Sequence, residues 1–114
     1  MKRILSALIL TLILSGAAFG ISDSEFLRLK KSNADFARAD RELSQVYKRL
    51  QNRLPGWAFK ILREEQREWI SGGRDDDAES YMDQGYSRAE AYTMATNDRA
   101  EYLPRRARQI VNGE

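Results

Sequence analysis

The sequence predicts an all-α fold: a small antiparallel helical hairpin or bundle of three to four helices behind a signal peptide. Three observations predict it. Beyond residue 20 no stretch alternates apolar and polar residues with the period of two that a half-buried strand requires. Apolar residues recur at helical spacing instead. Leu29, Phe36, Leu43 and Leu50 lie seven apart, and Phe26, Asn33, Asp40, Tyr47 and Leu54 form the neighbouring seam. Strong breakers fall between these amphipathic stretches, at Pro55-Gly56 and Gly72-Gly73.

The first twenty residues read as a secretory leader. Lys2 and Arg3 supply a basic start, Ile4 to Leu14 an apolar run, and Ala18-Phe19-Gly20 a small-x-small cleavage pattern. The stretch from Ile4 to Phe19 is shorter than the ~20 residues needed to span a bilayer, which argues against an uncleaved anchor. No cysteine follows it, so a lipid anchor is not expected. The expected organisation is a signal peptide over 1–20 and one helical domain over 21–114, periplasmic or secreted, with no membrane span after cleavage.

Without the leader the chain carries equal numbers of basic and acidic residues, so the basic pI of the full sequence is no argument for nucleic acid. The charge is polarised. Residues 21–63 hold ten basic and five acidic side chains; residues 64–114 hold seven and twelve. Such halves can attract each other on folding or present faces of opposite sign to partners.

The first helix is expected as one rod from about Ser22 to Arg53, capped by Ser22 or Asp23. Pro55-Gly56 turns the chain, and a second helix runs from about Trp57 to Ser71. Ala58, Ile61, Leu62, Glu65 and Trp69 lie on its inner side, with Gln66 and Ile70 at the edges. Gly72-Gly73 ends or bends it. Residues 74–86 read as a connector with room for a short helix at 76–83. Ser87-Arg88-Ala89-Glu90 is a capping box, and the last helix puts Tyr92, Ala95, Arg99 and Tyr102 on one face. Pro104 is expected to kink or end it near Tyr102.

Little chemistry is available. There is no cysteine and no histidine, which removes most nucleophilic, acid–base and transition-metal catalysis and leaves no disulfide to support an exported fold. Asp75, Asp77 and Glu79 alternate as calcium-loop ligands do. The pattern then fails at Ser80, where glycine is needed, and at Tyr86, where a bidentate glutamate is needed. No carboxylate pair is tied to a cleft as a glycosidase requires. The expectation is no enzyme, no metal and no cofactor. Asn33 and Asp40 interrupt the apolar seam, and an ionised Asp40 facing a core needs a cation; Arg74 and Arg99 are the candidates.

The stretches ADRELSQVYKRLQNRL, LREEQREWISGGRD and ATNDRAEYL resemble the three signature stretches of the lysozyme inhibitor LprI-like N-terminal domain family. The resemblance spans roughly residues 34 to 107. It rests on Asp40, Leu43, Tyr47, Leu50 and Leu54, then Leu62, Gln66, Trp69 and Arg74, then Thr96, Arg99 and Leu103. It implies a small exported helical protein of bacteria. In it Trp69 is the core anchor, Gln66 a polar bond maker beside it, and Arg74 the partner of Asp40. Family members commonly carry two cysteines that by spacing fall near Ala78 and Ala91, which places these two alanines close together. It further implies a protein partner such as a lysozyme, with Asp75, Asp76, Asp77, Glu79 and Asp83 as the acidic surface that steers toward a basic enzyme. The alternative is a periplasmic structural or adaptor protein without lysozyme-inhibitory activity, docking through the basic first helix.

Overall fold

Ser22 starts the first helix by accepting a hydrogen bond from the Glu25 amide at 3.1 Å. In the computed structural model, which describes residues 20–114, five α-helices follow: α1 (Asp23–Ser32), α2 (Ala34–Arg53), α3 (Gly56–Glu68), α4 (Arg74–Asp83) and α5 (Arg88–Val111). The described residues contain no strand. The signal peptide expected over 1–20 lies, apart from Gly20, outside them.

The expected single rod is two helices. Asn33 takes an extended conformation (φ −136°, ψ 106°). Its amide closes α1 on the Leu29 carbonyl at 2.9 Å, and its side chain opens α2 by accepting from the Phe36 amide at 2.9 Å. The seam position that looked like a buried polar residue is thus a cap for both helices. The seam survives the break: Phe36 and Leu43 are buried, and the Phe26 ring meets Phe36 edge-on at 5.3 Å.

Gly72-Gly73 does not end the second helix. From Trp69 to Gly73 the chain forms a π turn, and the Arg74 amide bonds the Trp69 carbonyl. The helix therefore runs unbroken from Gly56 to Asp83, and the expected connector is mostly α4. It stops at Gly85, whose φ of 103° suits glycine. With α3, the π turn and α4 taken together, four rods make the fold. Along α3 the core residues are Ala58, Phe59, Leu62 and Gln66; Ile61, expected inside, is 41% exposed.

The capping box forms as expected, with reciprocal bonds between Ser87 and Glu90 at 2.9 and 3.1 Å. α5 then passes through Pro104 to Val111 instead of stopping. Proline removes one amide from the ladder, but Leu103 before it and Ala107 and Ile110 after it are buried and hold both halves in place. α5 is the spine: α2, α3 and α4 all pack on it. The hairpin partners α2 and α3 meet through large side chains such as Tyr47 on Phe59, with ring centres 5.2 Å apart. One apolar cluster joins Leu43, Phe59, Leu62, Trp69, Leu103 and Ile110. A second joins Phe36, Ala78, Ala91, Tyr92 and Ala95. Ala78 and Ala91, expected as neighbours, are both fully buried in this second cluster.

The two glycines of the π turn separate by substitution. A Cβ at Gly72 meets nothing within 4 Å, whereas one at Gly73 comes to 3.0 Å from the Trp69 ring. Gly72→Ala should stabilise by about 0.5–1 kcal/mol, as alanine does in a helix. Gly73→Ala should destabilise by about 1–3 kcal/mol through overpacking. Urea denaturation of the two variants checks the order.

Candidate functional site

The residues picked from the sequence gather around one ring. Trp69 is 6% exposed. Its indole N–H donates to the Asp77 carboxylate at 3.0 Å. Its faces meet two guanidinium groups, Arg99 at 5.3 Å and Arg74 at 5.9 Å from the ring centre. Arg99 is fixed in turn by Gln66, whose side-chain oxygen accepts from Nε at 2.8 Å, and by the Glu65 carbonyl at 3.4 Å. It also stacks on Tyr102 at 4.8 Å. Thr96 is buried one turn earlier on α5, and its hydroxyl donates back to the Tyr92 carbonyl at 2.7 Å. A buried indole of this kind is worth about 3–5 kcal/mol relative to alanine.

On the other side of Trp69 a cleft of ≈530 Å³ opens between α1 and α2 on one wall and α3 with the π turn on the other. Asp40, Leu43, Tyr47, Gln66, Trp69 and Arg74 all line it, so six of the twelve residues that carry the family resemblance share one surface. Thr96 and Arg99 do not line it, nor do the four leucines Leu50, Leu54, Leu62 and Leu103. The sequence reading missed Phe26, Arg63, Arg67 and Ile70 as cleft residues. Arg63, Arg67 and Ile70 fall at helical spacing beside Gln66. That spacing could have marked a second face, but only the packing shows that the face borders a cleft.

The expected pair of Asp40 with Arg74 or Arg99 does not form. Asp40 pairs with Lys30 across the α1–α2 bend, at 3.1 Å. The kink at Asn33 explains this, because it folds α1 back and brings Lys30 within reach. Arg74 is left with its guanidinium between Phe26, at 5.1 Å, and Trp69. Its Nε is buried and has no hydrogen-bond partner among the described residues. A shielded cationic donor without an acceptor is costly, so Arg74 is the group in this cleft with unused bonding capacity. Burial pushes the Tyr47 phenol above its usual range, while Arg63 and Arg67 on the facing helix act in the opposite direction.

The acidic surface is only partly available. Asp75 accepts from the Tyr92 hydroxyl at 2.6 Å and from the Ile21 amide at 3.1 Å. Asp77 holds Trp69. Asp76, Glu79 and Asp83 remain exposed on α4. The ion pairs do not join the basic half to the acidic half. Lys30–Asp40 and Arg106–Glu65 each lie within one half, and Glu25–Arg88 crosses with the signs reversed. No group of three or more acidic side chains is placed to hold a metal ion among the described residues.

The family comparison decides what these residues belong to: the model described as Lysozyme inhibitor LprI matches residues 28–109. The chain belongs to this lysozyme inhibitor family. Searches of curated proteins and of solved structures returned no match. The match takes in every cleft residue except Asp23 and Phe26, and it includes both guanidinium groups that flank Trp69. The family is one of inhibitors, so its shared residues need not be catalytic. Here they build a joint and the cleft beside it. Among the described residues no helix is long and apolar enough to cross a membrane.

Two part-buried ion pairs staple the site's frame. Arg106 holds the Glu65 carboxyl below its usual range, chiefly through the direct hydrogen bond, and Arg88 does the same for Glu25. A folded-state pKa below the unfolded one contributes stability in full above the ordinary value of 4.5. That stability is lost as the pH falls through the lowered folded value. With solvent still reaching both pairs, each is worth on the order of 1 kcal/mol or less. The urea midpoint should therefore fall below pH 4.5, and Glu25→Gln with Glu65→Gln should flatten that fall while lowering stability at neutral pH.

Proposed function

We propose that this chain is an exported, lysozyme-inhibitor-like binding protein that acts by protein–protein contact without catalysis, and that the Arg74 cleft is its contact face. Residues 1–20 would leave as a signal peptide, and the mature chain would work in the periplasm or outside the cell. Membership of an inhibitor family supports a protein partner, with a lysozyme as the first candidate. The observation that carries the choice of face is Arg74: a guanidinium that lines the cleft and makes no ion pair among the described residues, on an apolar floor of Phe26, Leu43 and Trp69. Arg63 stands at the same cleft and adds positive charge, while Arg67 there is paired with Glu64 at 3.2 Å and Asp40 with Lys30 at 3.1 Å. This surface suits a carboxylate of the partner, with an apolar neighbour beside it. The exposed acids Asp76, Glu79 and Asp83 would then act at longer range, raising the encounter rate with a cationic enzyme.

A second reading, a periplasmic adaptor without inhibitory activity, draws on a different surface. Trp57 is 57% exposed and Ile61 41%, one turn apart on α3 beside the basic end of α2. An exposed tryptophan in such a setting is a typical anchor for a partner.

Residues 21–114 should slow the clearing of a cell-wall suspension by lysozyme. Arg74→Gln should weaken that inhibition by about tenfold or more, the loss expected for a charged hydrogen bond, with an unchanged far-ultraviolet spectrum. Trp57→Ser should leave it intact. No inhibition at a large molar excess of the wild-type chain removes lysozyme as the target. Inhibition lost with Trp57 and kept without Arg74 transfers the contact to the other surface.

A further inference from the structure

Gly20 and Ile21 lie against Asp75. The Ile21 backbone nitrogen donates to Asp75 Oδ1 at 3.1 Å. A Cβ on residue 20 would stand 2.5 Å from Asp75 Oδ2, so the carboxylate fills the space where any larger residue's side chain would begin. Asp75 Oδ1 also accepts from the hydroxyl of Tyr92, which is fully buried. Ile21 itself packs against the second apolar cluster. Asp75 is thus a part-buried carboxylate whose hydrogen-bond donors, among the described residues, are a neutral amide and a neutral phenol. It makes no ion pair there, although Arg74 and Arg88 are near: Arg74 stacks on rings and Arg88 is bound to Glu25. An anion so placed is short of a contacting cation.

We infer that the peptide bond between Gly20 and Ile21 is the processing site, and that its hydrolysis supplies that cation as the α-ammonium of Ile21. The inference rests on the export reading above. In the step, water adds to the Gly20 carbonyl carbon under catalysis by the exporting cell's signal peptidase, and the C–N bond breaks. The hydroxyl stays with Gly20, which ionises to a carboxylate. The nitrogen leaves with one proton from water and binds a second from solvent. A small residue before the cut is what such a peptidase requires, and here it is also what Asp75 leaves room for. The nitrogen already sits at hydrogen-bonding distance, so cleavage turns a neutral N–H contact into an ion pair without moving the chain. The pair would tie the new N-terminus to α4 and, through Tyr92, to α5. The other charged groups around it are Arg74 on α4, Arg88 on α5, and Asp23 and Glu25 in the first turn of α1.

The test compares the chain beginning at Ile21 with the same chain acetylated at its N-terminus, which keeps the N–H and every side chain but removes the charge. In the free chain, nitrogen NMR should show the α-amino group titrating about one pH unit or more above its ordinary ~7.7–8.0. A raised folded-state pKa contributes stability that is complete below the unfolded value and is lost as pH rises through the folded value. The thermal midpoint of the free chain should therefore drop toward that of the acetylated chain at alkaline pH, and Asp75→Asn should abolish the difference. An α-amino group titrating at its ordinary value, or identical stability profiles for the two chains, overturns the ion pair. The mass of the exported native protein must also correspond to a start at Ile21, and a different start overturns the processing site. Neither result depends on the lysozyme assay, so failure here and failure of the inhibitor reading are separable.

Discussion

The Trp69 side chain closes on Gly73, where a Cβ would come to 3.0 Å from the indole, and that close approach sets the geometry around it. A π turn carries one residue more than an α turn, which rotates everything after it by about 100° relative to an unbroken helix. With that rotation Asp77 reaches the indole N–H and Arg74 comes over one face of the ring. Arg99, held by Gln66, covers the ring from α5. One aromatic side chain thereby joins α3, α4 and α5, in a small fold that has no disulfide to help it.

The same joint forms the floor of the cleft. Trp69 closes the core on its α5 side and shows an edge on the other, so core and binding surface share a side chain. Arg74 is in the same position: its stacking on Phe26 and Trp69 is structural, and its buried Nε is unused. The internal ion pairs form mostly within each half of the chain, so the opposite charge of the two halves remains largely on the surface. That arrangement favours long-range orientation of a charged partner over internal cohesion.

The helical class was legible because it depends on period: the seam from Phe26 to Tyr47 announced a buried stripe. Spacing put Trp69 on the inner side of the second helix, and the family resemblance made it the anchor. What was not legible depends on backbone detail. Asn33 reads equally as a seam residue or as a cap, and only its extended φ and ψ decide. Gly72-Gly73 usually marks an end; here the Trp69 ring occupies the space over Gly73 and the helix continues. Pro104 loses a bond that buried neighbours on both sides offset. The partner of Asp40 followed from the bend at Asn33, so missing the bend meant missing Lys30. Of the cleft, the family residues named half of the lining. Arg63 and Arg67 resembled ordinary surface charge until Tyr47 was placed opposite them.

Contact through the cleft beside the Trp69 joint can be watched in a ¹⁵N–¹H spectrum of residues 21–114 titrated with lysozyme, following the Arg74 Nε–H and the two indole N–H signals. If the proposed face meets the partner, the Arg74 signal moves and saturates, with Trp69 shifting beside it and the Trp57 indole unchanged. A saturable shift confined to Trp57, with Arg74 still, would rule that face out.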